Sequence, residues 1–140
     1  LLRFAGRFEY AIMVDPGVNE EWMIPKMTIQ NYVENAVNHG LKEREQGGRL
    51  EVTIRLEEKT ICIEITDNGL GRAKAAERGS ESTGLGMGLM NQYFSLLNTY
   101  NSVKIRQEVE DLYHPDGKPA GTRVRVEVPV QINYNIAKYV

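Results

Sequence analysis

Two alternating runs of residues, joined by a short polar turn, constrain the fold of this 140-residue chain more than any other feature. Leu50–Leu56 and Ile61–Asp67 each carry apolar side chains at every second position, and Glu57–Thr60 lies between them. Successive side chains of a strand point to opposite faces of a sheet, so each run predicts a strand with one buried face. The chain is therefore expected to contain a sheet whose apolar face is covered.

The second run ends in an acidic residue on its apolar face. Ile61, Ile63 and Ile65 share one face, and parity places Asp67 on the same face. A buried carboxylate is costly without a partner, which indicates a ligand-binding role. The alternative is an ordinary turn aspartate, because Asp67–Gly71 is rich in turn residues. The residues alone leave both interpretations open.

Three further segments alternate in the same way. Arg7–Val14 predicts a strand before the pair, and Val103–Val109 and Thr122–Val128 predict two strands after it. In the last of these, three valines share one face and Thr122 has their parity. Thr122 is therefore predicted to point inward, as Asp67 is.

Met27–Gly40 reads as a helix with an unusual polar side. Asparagine is a poor helix former because its short amide competes for backbone hydrogen bonds. A helix face with three asparagines and a glutamate is thus interpreted as a set of ligands for a polar or cationic group, the alternative being a weakly helical surface. At the helical period the apolar side holds Ile29, Val33, Ala36 and Val37, and the polar side holds Asn31, Glu34, Asn35 and Asn38.

A glycine-rich segment, Gly84–Leu89, precedes a predicted helix with apolar residues at helical spacing. Glycines at this position let backbone N–H groups approach a phosphate, and the helix dipole favours the anion. No Gly-Lys-Ser/Thr follows, and no strand immediately precedes, so neither a Walker loop nor a Rossmann fingerprint is indicated. The charged, aperiodic residues Arg72–Thr83 are expected to form a mobile connector with a short helix at Ala73–Arg78.

The predicted order is strand, helix, two strands, connector, helix and two strands. This order favours a two-layer α+β sandwich with helices on one face of a mixed sheet. Residues 1–6 are expected to end a helix that enters from an upstream segment, residues 7–130 to form the domain, and residues 131–140 to be a loosely packed tail.

Composition narrows the classes of function. A net charge of −2 argues against non-specific nucleic-acid binding. No run is long enough for a membrane span, and no signal peptide opens the chain. Cys62 is the only cysteine, which favours a reducing compartment. Leu1 is not an initiator methionine, so a piece of a longer protein is expected.

The order of four motifs resembles a known superfamily. VENAVNHG, DNGLG, GLGMGL and GTRVRV, in that order, resemble the conserved boxes of the GHKL ATPase superfamily. Within it, IPKMTIQNYVENAVNHG is similar to the sensor histidine kinases of the autolysin-sensor type, whose helix reads like IPPLLLQPLVENAIKHG. The resemblance runs from about Arg7 to Pro129 and implies a Bergerat-type fold that binds ATP and Mg²⁺.

The resemblance also implies roles for individual residues. Asp67 would accept a hydrogen bond from the adenine amine, aided by a water molecule that Thr122 holds. Asn35 would bind Mg²⁺ through its side-chain oxygen, and Asn31 and Asn38 would lie beside the nucleotide. Leu70–Thr83 would be the ATP lid. Gly69 and Gly71 would pass close to the base, and Gly84, Leu85, Gly86, Met87, Gly88 and Leu89 would hold the phosphates.

Two departures from the family pattern bear on chemistry. Asn31 occupies the position where the ATP-hydrolysing branch has a glutamate, and asparagine cannot act as a general base. Asn38 replaces a basic residue, so phosphate charge must be neutralised elsewhere, with Lys42, Arg72 and Lys74 as unranked candidates. Glu34 would polarise an attacking histidine or support the metal through water, with a purely structural hydrogen bond as the alternative.

The resemblance implies the catalytic domain of a sensor histidine kinase, which transfers the γ-phosphoryl group of ATP to a histidine. Neither His39 nor His114 resembles that acceptor, which in this class lies on a separate upstream dimerisation domain. The expected partners are that domain, a response regulator and a second copy in a full-length homodimer. A cytoplasmic location in a membrane-anchored bacterial sensor is implied, with the membrane reached only through other segments. The alternatives are a GHKL-type hydrolase or clamp domain and a non-catalytic nucleotide-binding module.

Overall fold

The computed structural model describes residues 2–4, 8–19, 24, 28–41, 47–69 and 84–135. Within these ranges helix α1 is continued by a π-helical segment, and six strands form one sheet. The elements are β1 (Leu2–Phe4), β2 (Phe8–Val14), α1 (Thr28–Asn35), the π-helical segment (Ala36–Leu41), β3 (Gly48–Glu57), β4 (Thr60–Asp67), α2 (Gly84–Thr99), β5 (Arg106–Tyr113) and β6 (Pro119–Pro129).

The sheet of the described residues has the strand order β1-β2-β3-β4-β6-β5. β2 and β3 are parallel, and the other neighbouring pairs are antiparallel. A parallel pair needs a crossover, and α1 with its π-helical continuation lies between these two strands in the chain. The predicted fold class, a two-layer α/β sandwich on a mixed sheet, is confirmed.

The core lies between one face of the sheet and the two helices. Val52 lies opposite Ile65 in the pairing of β3 with β4, and Ile63 lies opposite Val126 in the pairing of β4 with β6. All four side chains are almost fully buried. Both helices contribute to the same cluster, α1 through Tyr32 and α2 through Phe94, among others. Strand alternation explains this arrangement, because every second residue of β3, β4 and β6 faces the helices.

The opposite face of the sheet carries alternating charges. Arg125 on β6 forms ion pairs with Glu57 at 3.1 Å and with Glu64 at 3.5 Å. Arg55 on β3 also pairs with Glu64, at 3.1 Å. These side chains are partly exposed, so each pair contributes little stability. Because these side chains are charged, this face of the sheet is exposed to solvent. Among the described residues, the core is therefore built on the other, apolar face.

The prediction that residues 1–6 end a helix is wrong for residues 2–4, the part of this segment that the structure describes. Leu2–Phe4 forms β1, which pairs antiparallel with Phe8–Tyr10 of β2. A short apolar run has no decisive period, so its pairing with a neighbouring strand determines its conformation.

β2 is present as predicted, but its apolar face is covered only in part. Tyr10 packs against the core, whereas Ile12 is 56% exposed and Val14 is 48% exposed. Alternation identifies the apolar face of a strand but not whether another element covers that face. The sequence pattern therefore predicted more buried residues on β2 than the structure has.

β5 begins three residues later than predicted, at Arg106 instead of Val103. The side chain of Asn98 donates to the carbonyl of Ile105 at 3.0 Å and accepts from its N–H at 2.7 Å. These bonds tie Ile105 to the end of α2 instead of to the sheet. A side chain at another point in the chain thus sets where the strand starts.

The segment after β6 packs more closely than expected as far as residue 135. Ile132 is buried in the core cluster, and the N–H of Asn133 donates to the side chain of Asn101 at 2.8 Å. Residues 136–140 lie outside the described ranges. No helix in the part of the chain that the structure describes has both the length and the apolar character of a membrane span.

Candidate nucleotide-binding site

Asp67 lies at the end of β4 on the helix-covered face, as its parity predicted. The residue is only 6% exposed. The N–H of Gly69 donates to its carboxylate at 2.9 Å, and the backbone N–H of Thr122 also donates to it. Burial nevertheless raises the pKa of Asp67 to about 6, because the two hydrogen bonds offset only part of the desolvation.

The two interpretations of Asp67 both describe part of its environment. It accepts the N–H two residues ahead, as a turn aspartate does, yet it is buried. An ionised carboxylate has about four lone-pair positions, and two N–H donors use about half of them. The carboxylate can therefore accept a further hydrogen bond from a ligand.

Thr122 lies directly opposite Asp67 in the antiparallel pairing of β4 and β6. The preceding residue, Gly121, has a φ of 129°. A Cβ built on Gly121 would lie 1.9 Å from the carbonyl oxygen of Asp67. Only glycine permits this approach, and the role of Gly121 was not predicted although it directly precedes Thr122 in the motif.

The turn after Asp67 is held by the next residue, Asn68. Its side-chain oxygen accepts the N–H of Arg49 at 2.7 Å, and its amide donates to the carbonyl of Gly47 at 2.9 Å. These bonds join the end of β4 to the start of β3. Gly69 is buried in this turn, whereas Gly71 and the predicted lid Leu70–Thr83 lie outside the described ranges.

The helix predicted over Met27–Gly40 is present from Thr28 onward, as the α-helix α1 to Asn35 and as the π-helical segment from Ala36. Asn31 and Asn35 are partly buried, and Asn38 and Glu34 are exposed. Glu34 accepts a hydrogen bond from Gln30 at 3.0 Å, one turn earlier. None of the three asparagine amides forms a hydrogen bond with a described residue, so no described partner competes for their oxygens.

The buried side of α1 is centred differently from the prediction. Thr28, Tyr32 and Ala36 are buried at intervals of four residues, whereas Ile29 and Val33 are only partly buried. Tyr32 was not predicted to lie in the core. Its hydroxyl group donates to Oε1 of Gln107 on β5, a contact that no local pattern could reveal.

The glycine-rich segment does not precede α2 as a loop but forms its first turns, because the helix begins at Gly84. The first N–H groups of a helix have no partner within it, so they remain suited to an anion. A Cβ on Gly88 would have no neighbour within 4 Å, so packing does not require glycine there. The side chains of Leu85, Met87 and Leu89 lie outside the description.

The histidines and basic residues considered as acceptors or phosphate ligands are described only in part. The side chain of His114 is exposed in the turn between β5 and β6. Its backbone N–H donates to the carbonyl of Lys118 at 2.8 Å. Tyr93 on α2 is partly buried and packs against the core. Lys42, Arg72 and Lys74 lie outside the described ranges, and the side chain of His39 is not described.

These residues fit Mg-ATP as a ligand. Asp67 offers a buried acceptor, Asn31 and Asn35 offer amide oxygens, and the start of α2 offers backbone donors. Mg²⁺ prefers oxygen ligands and is commonly held by one or two protein groups together with phosphates. No group of three or more His, Cys, Asp or Glu residues in the described part of the chain could hold a metal, so an amide-based site does not compete with a carboxylate cluster there.

The family described as "Histidine kinase-, DNA gyrase B-, and HSP90-like ATPase" matches residues 24–132. The sensor protein LytS of Streptococcus agalactiae is 30% identical over 137 residues, which are 94% of this chain and 22% of that protein. The sensor histidine kinase BtsS of Escherichia coli is 30% identical over 64% of this chain and 15% of that protein. The chain thus spans less than a quarter of the curated relatives it matches.

Solved structures of low sequence identity have the same fold. The nucleotide-free catalytic domain of histidine kinase ThkA aligns with a TM-score of 0.55 at 15% identity, covering 88% of this chain and 78% of that one. Acinetobacter baumannii histidine kinase AdeS aligns with a TM-score of 0.51 at 11% identity, covering 90% of this chain and 56% of that one.

Proposed function

Because this chain belongs to the histidine kinase-, DNA gyrase B- and HSP90-like ATPase family, we propose that it is the ATP-binding catalytic domain of a sensor histidine kinase. The observation that carries the proposal is the position of Asp67, a buried acceptor at the end of an inner strand, directly opposite Thr122. Members of this family bind ATP with Mg²⁺.

Asp67 recognises the adenine base in this proposal. Its ionised carboxylate accepts a hydrogen bond from the exocyclic amine, and Thr122 holds a water molecule beside it. A guanine would present a keto oxygen instead, which would place a second acceptor against the buried carboxylate and supply no donor for its remaining lone pairs. Gly69, and Gly71 beyond the described residues, allow the chain to pass beside the base.

Asn35 is the proposed magnesium ligand, with Asn31 and Asn38 on the same polar side of the helix. The partly buried Asn35 has no competing hydrogen bond within the described residues, so none of these residues must release it before a ligand binds. Bound Mg-ATP supplies the γ-phosphoryl group that is transferred. The backbone N–H groups at the start of α2 hold the phosphates, with Gly84, Gly86 and Gly88 allowing close approach.

Glu34 is exposed and adjacent to Asn35, and its hydrogen bond to Gln30 is an ordinary surface pair on a helix. Such a pair is weak, so the carboxylate is available to orient an incoming histidine. We assign Glu34 this role, with support of the metal through water as the alternative.

Phosphoryl transfer to a histidine is favoured over hydrolysis by the residue at position 31. An asparagine there cannot remove a proton from water, as the glutamate of a hydrolase would. The one histidine with a described side chain, His114, is exposed in a turn. The acceptor is therefore assigned to a separate dimerisation domain of a membrane-anchored, cytoplasmic-facing homodimer, and a response regulator receives the group next.

The test combines this chain with the histidine-containing dimerisation domain of its full-length protein and radiolabelled ATP. We expect slow hydrolysis and negligible self-labelling by the chain alone, and label on the added domain in an acid-labile, base-stable bond. Brisk hydrolysis without transfer would identify a hydrolase or clamp domain instead. Binding of ATP with neither reaction would identify a non-catalytic nucleotide-binding module.

A further inference from the structure

Tyr32 is the largest fully buried side chain of α1, and it reaches across the core to a polar partner. It is 1% exposed. Its hydroxyl donates to Oε1 of Gln107, which lies 75 positions later on β5. β5 is an edge strand of the described sheet, and Gln107 lies opposite the core residue Val126, so the bond connects the helix with the edge of the sheet on its helix-covered face.

This hydrogen bond is a directional contact at the centre of the buried side of α1. Thr28, one turn before Tyr32, is also buried and makes an interaction of its own, whereas Ala36, one turn after it, is apolar. Apolar packing is not directional and tolerates small rotations of a helix, whereas a hydrogen bond weakens when its angle changes. A buried hydroxyl without a partner is also unfavourable, so the helix is held in the rotation that keeps the bond.

The same helix carries the amides proposed to face the nucleotide. Asn31 is adjacent to Tyr32, and Asn35 follows one turn later. An atom about 5 Å from a helix axis moves by about 2 Å when the helix rotates by about 20°. Mg²⁺ requires near-ideal octahedral geometry, so a displacement of this size would remove the Asn35 oxygen from the metal.

We propose that Tyr32 and Gln107 are positioning residues, whose hydrogen bond sets the rotation of α1 and thereby places Asn35 for Mg²⁺. The inference rests on the proposed role of Asn35 in the nucleotide site. It extends that role to a residue of the core and to one of a distant strand, neither of which touches the nucleotide. The bond acts on the metal-dependent part of nucleotide binding and not on recognition of adenine.

The test compares ATP affinity with Mg²⁺ and with a chelator by calorimetry, and adenosine affinity without metal. We expect Tyr32→Phe and Gln107→Leu each to lower the Mg²⁺ enhancement of ATP affinity about tenfold, while adenosine affinity is unchanged. The double variant should lose no more than either single variant, because both remove the same bond. Gln107→Glu retains an acceptor oxygen and should keep the enhancement within about twofold.

Tyr113→Phe is the matched control, because it removes a tyrosine hydroxyl from β5 at an exposed position. A second measurement needs no ligand: the NMR signals of the Asn35 side-chain amide should shift in Tyr32→Phe and in Gln107→Leu, and not in the control. Gln107→Leu changes a partly buried residue of an edge strand, so it keeps the test available if Tyr32→Phe does not fold.

Full wild-type Mg²⁺ enhancement in both single variants, with only their thermal stability lowered, would overturn this inference and leave the proposed function intact. A loss of adenosine affinity equal to the loss of the Mg²⁺ effect would also overturn it, because a general disturbance of the site would explain both. Wild-type chain that binds ATP equally with and without Mg²⁺ would overturn the assignment of Asn35, and this inference with it.

Discussion

Asp67 and Thr122 face each other across strands β4 and β6, and the backbone N–H of Thr122 donates to the buried carboxylate of Asp67. The approach of the two strands depends on Gly121, whose missing side chain leaves room for the carbonyl of Asp67. One strand thus supplies the acidic side chain, and the other supplies both a donor to it and the space beside it.

Replacement of Asp67 should weaken ATP binding and its selectivity. Asp67→Ala removes the proposed acceptor of the adenine amine, and we expect a loss of about 1–3 kcal/mol in ATP binding with little change for GTP. Asp116→Ala is a matched control: Asp116 also accepts an N–H two residues ahead, at 2.9 Å, but in an exposed turn. Calorimetry with both nucleotides checks the prediction, and equal wild-type affinity for ATP and GTP would contradict it.

The stability of the chain should depend on pH through Asp67. Burial raises the pKa of Asp67 to about 6 in the folded state, against about 3.9 in an unfolded chain. The folded state therefore binds this proton more tightly, and the contribution of Asp67 to the free energy of unfolding falls as pH rises between these values. Relative to Asp67→Asn, we expect wild-type stability to increase by about 2 kcal/mol from pH 7 to pH 4.

Denaturant unfolding of both variants at several pH values measures that difference, and the subtraction removes the contributions of other groups. A difference that stays constant, or that grows as pH rises, would show that Asp67 is not held in a desolvated site.

Replacement of Asn35 should weaken the magnesium-dependent part of ATP binding and not the recognition of adenine. Asn35→Ala should abolish the Mg²⁺ enhancement of ATP binding and leave adenosine affinity largely intact, because Asp67, the proposed adenine acceptor, lies on β4. Gln92→Ala, at an exposed amide of α2, serves as the control. Affinity titrations with and without Mg²⁺ distinguish the outcomes. If Asn35→Ala retained the full magnesium effect, the magnesium ligand would have to be assigned to Glu34 or Asn31 instead.

The close approach at Gly121 makes a prediction about stability. Gly121→Ala would place its Cβ 1.9 Å from a backbone oxygen at a φ of 129°, so the strands must separate. We expect a loss of more than about 3 kcal/mol, or failure to fold. Gly117→Ala has a φ of 87° but open space around the Cβ, so only the backbone term of about 1–2 kcal/mol should appear. Similar unfolding midpoints for the two variants would refute the steric argument.

The order and periods of the elements could be predicted from the sequence, and so could the family. Alternation in β3, β4 and β6 reflects a property of each strand by itself, and it placed Asp67 and Thr122 on the buried face before their pairing was known. The motifs around Asn35, Asp67, Gly84 and Thr122 identified the GHKL ATPase superfamily, and the family match confirms it. The roles of the individual residues stay predictions.

Only the tertiary structure decided the contacts between distant segments. The start of β5 depends on Asn98, the conformation of Leu2–Phe4 on pairing with β2, and the buried centre of α1 on the partner of Tyr32. A local pattern records whether a residue prefers burial, since that preference belongs to its own side chain and its neighbours. It does not record which group meets it across the core, because that depends on how separate elements pack together.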